Sequence, residues 1–283
     1  MTTWKVPGVP GLGRCLVMGV VNVTPDSFSD GGRWFDPKAA VRHGLELVEQ
    51  GADIVDVGGE STRPGAARVP LDEELARVEP VIRELSREGV AVSVDTMRAE
   101  VARAAVDAGA VLVNDVSGGL ADPEMPRVVA ATGVAYVVMH WRGHSHAMDR
   151  RAVYDDVVAE VREELAKRVA SVLAEGVAEE QIVLDPGLGF SKNAEHNWAV
   201  LAGLDRLAEL GHPLLIGASR KRFLGRLLAE PDGTPRSFDR SDDATLAVTA
   251  IVAREGAWCV RVHNVRPNAD AVRVAAAVQG ARS

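Results

Sequence analysis

Cysteine is scarce in this sequence, with two residues among 283, so a framework of several disulfide bonds is excluded. Cys15 and Cys259 each lie inside an apolar run without CxxC spacing, and both are expected to be buried thiols in a reducing compartment. No apolar run reaches the roughly 20 residues of a membrane-spanning helix. The N-terminal residues also lack a charged segment followed by an apolar one, the pattern of a secretory signal. These absences together predict a cytoplasmic protein.

Basic residues are also in deficit, because 32 lysines and arginines face 40 aspartates and glutamates, giving a net charge of −8. Such a chain has no general electrostatic attraction for nucleic acid or anionic lipid, so we expect no nucleic-acid partner and no membrane partner. Apolar residues, in contrast, make up 47% of the chain and can bury a large core. We expect residues 1–283 to form a single domain, with the Pro-, Gly- and Asp-rich segment 229–243 as a surface loop.

Short apolar runs alternate with longer segments of helical periodicity along the chain. The strands are predicted at residues 15–23, 53–59, 90–96, 111–117, 134–140, 181–187, 213–219 and 258–264. Their nearly continuous apolar character is typical of parallel strands buried on both faces. Apolar residues at helical spacing predict the buried helix faces: Val41, Leu45 and Val48; Val101, Ala105 and Ala108; and Val157, Val161, Leu165 and Val169. Eight such strand and helix units predict a (β/α)8 TIM barrel in the α/β class, with an open doubly wound sheet as the alternative.

Polar side chains follow the predicted strands at their C-terminal ends, which share one face of a barrel and form its active site. These residues are Asn22, Arg63, Asp95, Asn114, His140, Asp185, Ser219, Lys221, Arg261 and His263. The cations Arg63, Lys221 and Arg261, together with His263, suit the binding of a phosphate or a carboxylate. The acidic and amide side chains match a flat heterocycle with ring N–H donors. Asn22 and Asp30 are candidates to help hold a Mg²⁺ ion that bridges a diphosphate.

Other kinds of site are disfavoured by the motifs present. The sequence has no GxxxxGK[ST], no GxGxxG before a helix and no second glycine of a nucleophile elbow around Ser219. His140, His144 and His146 lie close together, but they lack an acidic or cysteine partner at metal-site spacing. A polar lid or a solvated loop is the favoured interpretation of that histidine segment.

Eight motifs now occur in chain order: GVVNVTPDSFSDGG, IVDVGGESTRPGA, VSVDTMR, LVNDVSGG, VVMHWRG, LDPGLGFSK, LIGASRKRFLG and VRVHNV. Together they closely resemble the bacterial dihydropteroate synthases of the pterin-binding TIM-barrel family. The resemblance covers nearly the whole chain, and HWRGHSH with the Ala-, Arg- and Val-rich composition indicates an actinobacterial member.

The resemblance implies a transferase of folate biosynthesis. Its reaction joins 6-hydroxymethyl-7,8-dihydropterin diphosphate and p-aminobenzoate to give 7,8-dihydropteroate and pyrophosphate. It also implies a Mg²⁺ requirement, a homodimer, and inhibition by sulfonamides, which mimic p-aminobenzoate. The substrate suits a dissociative order, in which pyrophosphate leaves before the amine attacks, and no protein nucleophile is required.

The same resemblance implies a role for each site residue. The pterin would be bound by Asp95, Asn114, Asp185 and Lys221, and Asp30, beside the loop residue Phe28, would face the charge that develops on it. The diphosphate would be held by Asn22, Arg261 and His263, with Asn22 as the metal ligand. Around p-aminobenzoate and pyrophosphate would lie Thr62, Arg63 and Pro64, and the aminobenzoate side would be completed by Phe190, Ser219 and the Lys221 stem. The expected catalytic residues are Asp30, Asp95, Lys221, Arg261 and His263.

Two other functions and two ambiguous residues remain open at this point. A methyltetrahydrofolate-dependent methyltransferase would share the pterin-binding residues but would not need the ESTRPG and SRK motifs. A catalytically silent pterin-binding paralogue should have lost some of the residues named above, and none is lost. Asp56 and Asp115 are left as structural or supporting carboxylates.

Overall fold

The computed structural model describes residues 4–24, 36–60, 68–143, 151–237 and 239–281, and these form a barrel of parallel strands surrounded by helices. The strands are β1 Leu16–Asn22, β2 Ile54–Gly58, β3 Val92–Asp95, β4 Leu112–Asp115, β5 Ala135–Met139, β6 Ile182–Asp185, β7 Leu215–Ile216 and β8 Cys259–Val262. The α-helices are α1 Pro37–Glu49, α2 Leu71–Arg87, α3 Ala99–Asp107, α4 Met125–Thr132, α5 Val157–Ala174, α6 Ala194–Ala202, α7 Leu204–Ala208, α8 Arg222–Leu227, α9 Asp242–Arg254 and α10 Val265–Gly280. All eight predicted strands are present and shorter than their apolar runs, and β7 is reduced to two residues.

Closure of the sheet distinguishes the barrel from the open alternative. The strands pair in the order β6-β5-β4-β3-β2-β1-β8-β7, and every pair is parallel. A parallel bridge between Leu184 of β6 and Leu214, just before β7, joins the two ends of this sheet. The backbone N–H of Leu184 also donates to the carbonyl of Pro213 at 2.9 Å. The TIM-barrel prediction is therefore confirmed, and the open doubly wound sheet is wrong.

Alternate residues along each strand belong to two different cores. Leu16, Met18, Ile54 and Leu112 are part of an inner cluster. Their strand neighbours, such as Val17 and Val55, pack in the outer cluster with the helices. Both faces of each strand are apolar because the barrel interior and the helix layer each exclude water. The same alternation decides which polar residues at the strand ends belong to the inner face.

The N-terminal end of the barrel is closed by apolar residues and one ion pair. Val6 is buried in the inner cluster, and Trp4 and Val9 pack against it. Arg14 donates to both carboxylate oxygens of Asp53 at 2.8 Å, and Asp53 also accepts from the backbone N–H of Val17 at 2.8 Å. This end therefore contributes to stability and leaves the opposite end for a ligand.

Most of the predicted helix faces are buried as expected, and one is displaced. Val101, Ala105 and Ala108 are buried, as are Val157, Val161 and Leu165, whereas Val169 is half-buried. In α1 the buried residues are Ala40, Gly44 and Leu47, whereas Val41 and Leu45 are half-buried and Val48 is exposed. A Cβ at Gly44 would lie 2.9 Å from Leu85, so α1 approaches α2 closely at a residue without a side chain.

Turns between helices and strands follow the glycine pattern of the sequence. The residues Gly51, Gly89, Gly109, Gly133, Gly176, Gly211 and Gly256 all have positive φ after a helix. Segment 229–243 is mostly a connection between α8 and α9, although α9 begins inside it at Asp242. Within the described ranges, no helix combines the length and the hydrophobicity needed to span a membrane.

Candidate active site

The C-terminal ends of the strands bring the predicted site residues together at one mouth of the barrel. In the strand register Asn22 lies beside Gly58, Gly58 beside Asp95, and Asp95 beside Asn114. Across the barrel, Asp185 ends β6 and Arg261 lies in β8. These residues share the inner-face alternation of Ile54 and Leu112, so their side chains continue the interior where its apolar part ends.

Arg261 lies at this mouth and joins two buried carboxylates. Its Nε donates to Asp56 Oδ2 at 2.6 Å, and its Nη2 donates to Asp95 Oδ2 at 2.8 Å. Asp56 is fully buried, Asp95 is 6% exposed, and the Arg261 side chain is 21% exposed. The second oxygens of both carboxylates, Oδ1 of Asp56 and Oδ1 of Asp95, are buried and accept no hydrogen bond from any residue that the structure describes. Two buried acceptors beside one cation leave hydrogen-bonding capacity that a ligand with N–H groups can satisfy.

Burial and charge act in opposite directions on these groups. Burial raises the pKa of Asp95 to about 7, with Arg261 opposing the shift and Asp56 adding to it. Burial alone would lower the pKa of Arg261, but the two carboxylates outweigh it and raise that pKa. Asp95 therefore changes its charge near neutral pH, whereas Arg261 remains a cation.

Asp56 is a site residue that the sequence analysis did not select. Besides Arg261, it accepts from Asn114 Nδ2 at 3.1 Å, so it links β2 to both β4 and β8. The sequence did contain a signal, because Asp56 interrupts an apolar strand on the same alternation as Ile54 and Gly58. An acidic residue at an inward position of a barrel strand requires a partner, and Arg261 supplies it.

Asp115 has the supporting role left open for it. It accepts from the backbone N–H and hydroxyl of Ser117, from the Gly119 N–H and from the Tyr136 hydroxyl, at 2.7–2.9 Å. These bonds occupy both carboxylate oxygens and stabilise the turn after β4. Asn114, one position earlier, is therefore the β4 residue that faces the mouth.

Asp185 and Lys221 form the opposite side of the mouth. Asp185 Oδ1 accepts from the Gly187 N–H at 2.7 Å, which holds the turn after β6, and its Oδ2 accepts no hydrogen bond within the described residues. Burial raises the pKa of Asp185. Burial lowers the pKa of Lys221 to about 8, against the nearby charge of Asp185. Lys221 Nζ lies 4.2 Å from the centre of the Phe190 ring, in a cation–π contact.

The β6–α6 loop passes unusually close to its neighbours. Gly187 has a φ of 69°, and a Cβ there would lie 2.4 Å from the carbonyl oxygen of His140. Gly189 has a φ of 76°, and a Cβ there would lie 2.8 Å from the Lys221 side chain. Ser191 and Arg220 are the non-glycine residues with positive φ in the part of the chain that the structure describes. Each flanks a predicted site residue, Phe190 or Lys221, where backbone strain is commonly retained for function.

Ser219 and His263 connect the ends of β7 and β8. The Ser219 hydroxyl lies 3.0 Å from His263 Nδ1, and it accepts from the backbone N–H of His263 at 3.2 Å. This pair places a hydroxyl and an imidazole beside Arg261. The geometry is suitable for an anion, since each of the three groups can donate a hydrogen bond.

Comparison with known proteins agrees with this geometry. A model of the pterin binding enzyme family matches residues 18–263. A dihydropteroate synthase from Mycobacterium leprae is 56% identical over 262 residues, which are 92% of this chain and 92% of that protein. The chain belongs to the dihydropteroate synthases of the pterin-binding family. Membership makes it a transferase of folate synthesis, and the identity to a mycobacterial protein supports the expected actinobacterial character.

Two solved dihydropteroate synthases share this fold. The enzyme from Xanthomonas albilineans, determined with 4-aminobenzoic acid, has 46% identity and a TM-score of 0.86, with 94% of this chain and 93% of that chain covered. The enzyme from Yersinia pestis in a sulfonamide complex has 37% identity and a TM-score of 0.87, with 96% and 98% covered. These relatives favour the synthase over the methyltransferase alternative.

Several predicted residues of this dihydropteroate synthase lie outside the described residues. They are Phe28, Asp30, Thr62, Arg63, Pro64, His144 and His146. Their roles stay predictions. His140, the first histidine of its segment, is described and buried, and it contacts Lys192, a buried residue that the sequence analysis did not select.

Proposed function

We propose that this chain condenses 6-hydroxymethyl-7,8-dihydropterin diphosphate with p-aminobenzoate to form 7,8-dihydropteroate and pyrophosphate. The observation that carries the proposal is the cluster of Asp56, Asp95 and Arg261, in which one buried oxygen of each carboxylate accepts no hydrogen bond from the described part of the chain. A dihydropterin presents ring N–H and amino groups that match such acceptors. The second substrate, p-aminobenzoate, is proposed because the chain belongs to the synthase family.

The pterin is proposed to bind between the two sides of the mouth. Asp95 Oδ1 and Asp185 Oδ2 would accept from ring N–H groups, while Asn114 offers both a donor and an acceptor. Lys221, held near Asp185, would donate to a ring oxygen or nitrogen. Because these groups are buried on strands, they would be oriented before the substrate arrives.

The diphosphate is proposed to bind beside β8 and β1. Arg261 uses two of its five N–H donors on Asp56 and Asp95, so within the described residues three remain for an anion, and His263 with Ser219 lies next to it. Asn22 is half-buried at the end of β1, and its side-chain amide makes no hydrogen bond within the described residues. One hard oxygen ligand, completed by diphosphate oxygens and water, fits Mg²⁺, which would neutralise charge on the leaving diphosphate.

The proposed order of the reaction is dissociative. Loss of pyrophosphate would leave a methylene cation delocalised into the pterin ring, and ionised Asp95 would stabilise it. The amine of p-aminobenzoate would then attack on the side of Phe190 and Lys221. Positional isotope exchange within the diphosphate, measured without p-aminobenzoate, tests this order. Isolation of a covalent adduct on any side chain would contradict it.

Other parts of the proposal concern assembly, location and inhibition. A homodimer is supported by the exposed apolar residues Ile251, Val274 and Val278 on the adjacent helices α9 and α10. A cytoplasmic location is supported by the buried free thiols of Cys15 and Cys259. Inhibition by sulfonamides is supported by the complex of the Yersinia pestis relative. Sedimentation of the purified chain and competition against p-aminobenzoate test the first and the last of these.

The activity itself is tested by release of pyrophosphate from the purified chain. Dihydropterin diphosphate, Mg²⁺ and p-aminobenzoate are supplied together and then omitted in turn. We expect full release only with all three and an equal amount of dihydropteroate. Tight pterin binding without any turnover would instead identify a silent paralogue.

A further inference from the structure

Lys192 is a buried lysine whose hydrogen bonds all lead back to the β6–α6 loop and its support. It is 9% exposed, and its Nζ contacts His140 Nδ1 at 2.9 Å, the Gly187 carbonyl at 3.1 Å and the Phe190 carbonyl at 3.2 Å. An ammonium has three donors, so these three partners use its full capacity. Burial lowers the pKa of Lys192 to about 7. With no donor to spare, Lys192 is placed to hold the loop and not to bind a substrate.

His140 extends the contact from Lys192 to helix α5. Its Nε2 lies 2.9 Å from Glu164 Oε2, while its Nδ1 faces Lys192. Burial lowers the pKa of His140 to about 4, with Lys192 adding to the shift. The imidazole is therefore neutral at physiological pH, so Nε2–H donates to Glu164 and Nδ1 accepts from Lys192.

From Glu164 the contacts continue back to the β6–α6 loop through Arg142 and Tyr154. The Nε of Arg142 donates to Glu164 at 3.1 Å. The Arg142 guanidinium lies 3.9 Å from the centre of the Tyr154 ring. The Tyr154 hydroxyl then donates to the Ser191 carbonyl at 3.0 Å. Ser191 is the neighbour of Lys192, so the contacts close on themselves.

We call this closed set the positioning ring; its members are Lys192, His140, Glu164, Arg142, Tyr154 and Ser191. The positioning ring holds the β6–α6 loop in place immediately after Phe190. Ser191 has a φ of 46°, a left-handed conformation that is unfavourable for serine and needs support from its surroundings. Lys192 binds the Phe190 carbonyl on one side, and Tyr154 binds the Ser191 carbonyl on the other.

We propose that the positioning ring fixes the position of the Phe190 side chain against Lys221. Lys192 is the main positioning residue of this set. This inference rests on the proposed function, in which Phe190 and Lys221 bound the p-aminobenzoate site. Without the positioning ring, the β6–α6 loop would relax at Ser191. Phe190 would then move away from its 4.2 Å contact with Lys221 Nζ. The pterin-binding carboxylates lie on strands and would stay in place. Loss of the ring should therefore weaken aminobenzoate binding selectively.

Steady-state kinetics of Lys192→Met and Tyr154→Phe test the inference. We expect Lys192→Met to raise the KM for p-aminobenzoate by about tenfold or more, because small displacements of a positioning group have effects of this size. The KM for the pterin diphosphate should stay within about twofold of the unchanged chain. Tyr154→Phe, which removes one hydroxyl, should raise the aminobenzoate KM by a smaller factor and provides the test if Lys192→Met does not fold.

A double-mutant cycle with Phe190→Leu shows whether Lys192 acts through Phe190. In the Phe190→Leu background, Lys192→Met should add little to the aminobenzoate KM, since the group it positions is already altered. Lys167→Met is the matched control, because Lys167 lies exposed on α5 and pairs there with Glu163. It should change neither KM.

Two results would overturn the inference without touching the proposed function. In the first, the unchanged chain turns over and Phe190→Leu raises the aminobenzoate KM, but Lys192→Met and Tyr154→Phe do not. In the second, Lys192→Met raises both KM values equally, which would indicate a general structural role. Absence of turnover in the unchanged chain would refute the proposed function instead.

Discussion

Arg261 binds Asp56 through a 2.6 Å hydrogen bond that joins residues 205 positions apart. The same guanidinium binds Asp95 at 2.8 Å, so one cation holds two buried carboxylates from neighbouring strands. This arrangement gives Arg261 two tasks, because it compensates buried negative charge and still has donors for a ligand. Substitution of Arg261 by Ala should therefore destabilise the chain as well as stop turnover.

The charge of Asp95 should control the acid side of the pH profile. Burial raises the pKa of this carboxyl to about 7, so the ionised form predominates above that pH and the neutral form below it. Since only the ionised form can stabilise a pterin cation, kcat/KM for the pterin should fall as the pH drops through about 7. Initial rates over about two pH units on each side of 7 measure this. A profile that stays flat across that range would refute the assignment.

Substitution of Asp56 by Asn should move the acid limb of the pH profile, the fall of kcat/KM on the acid side, to lower pH. Asp56 repels a second negative charge on Asp95 and competes with it for Arg261, and both effects raise the pKa of Asp95. Asparagine keeps the shape and removes the charge, so the Asp95 pKa should fall. The pH profile of kcat/KM is compared with that of Asp107→Asn, a change on the exposed end of α3. An unmoved limb in Asp56→Asn would mean that the two carboxylates are not coupled.

Substitution of Arg14 by Met should reduce stability without changing kcat. Arg14 pairs with Asp53 at the end of the barrel opposite to the site, and their side chains are 19% and 9% exposed. Removal of one partner from a largely buried pair should lower the free energy of unfolding by roughly 2 to 4 kcal/mol. Urea denaturation measures the loss, and Arg127→Met, which breaks two exposed ion pairs with Glu124 and Glu175, should cost much less. Equal losses in both variants would contradict the structural role of Arg14.

The two thiols should be unreactive in the folded chain. Cys15 and Cys259 are free and buried, and burial raises the pKa of Cys15 to about 12 and that of Cys259 well above its ordinary value. Both stay protonated at neutral pH, and the thiolate is the reactive form. Reaction with a chromogenic disulfide reagent should be negligible in buffer and should reach two thiols per chain in denaturant. Rapid labelling in buffer would show that one of these thiols is accessible.

Much of the architecture followed from the sequence by itself, because strands and turns depend on local patterns. Apolar β-branched runs of the right length became the strands, and glycine after seven of the α-helices provided the positive φ that the turn needs. The polar ends of the strands also predicted the mouth, since parallel strands bring those ends to one face. Asp95, Asn114, Asp185 and Arg261 were all found there.

Tertiary structure alone decided which side chains meet. Closure between Leu184 and Leu214, the displaced buried face of α1, and the pairing of Asp56 with Arg261 depend on contacts between distant segments. The same holds for Lys192, which ends the motif LDPGLGFSK but meets its buried partners only in the folded chain. Its partner His140 is 52 positions away. Local patterns determine the backbone path, whereas burial and charge compensation are settled only when distant segments pack together.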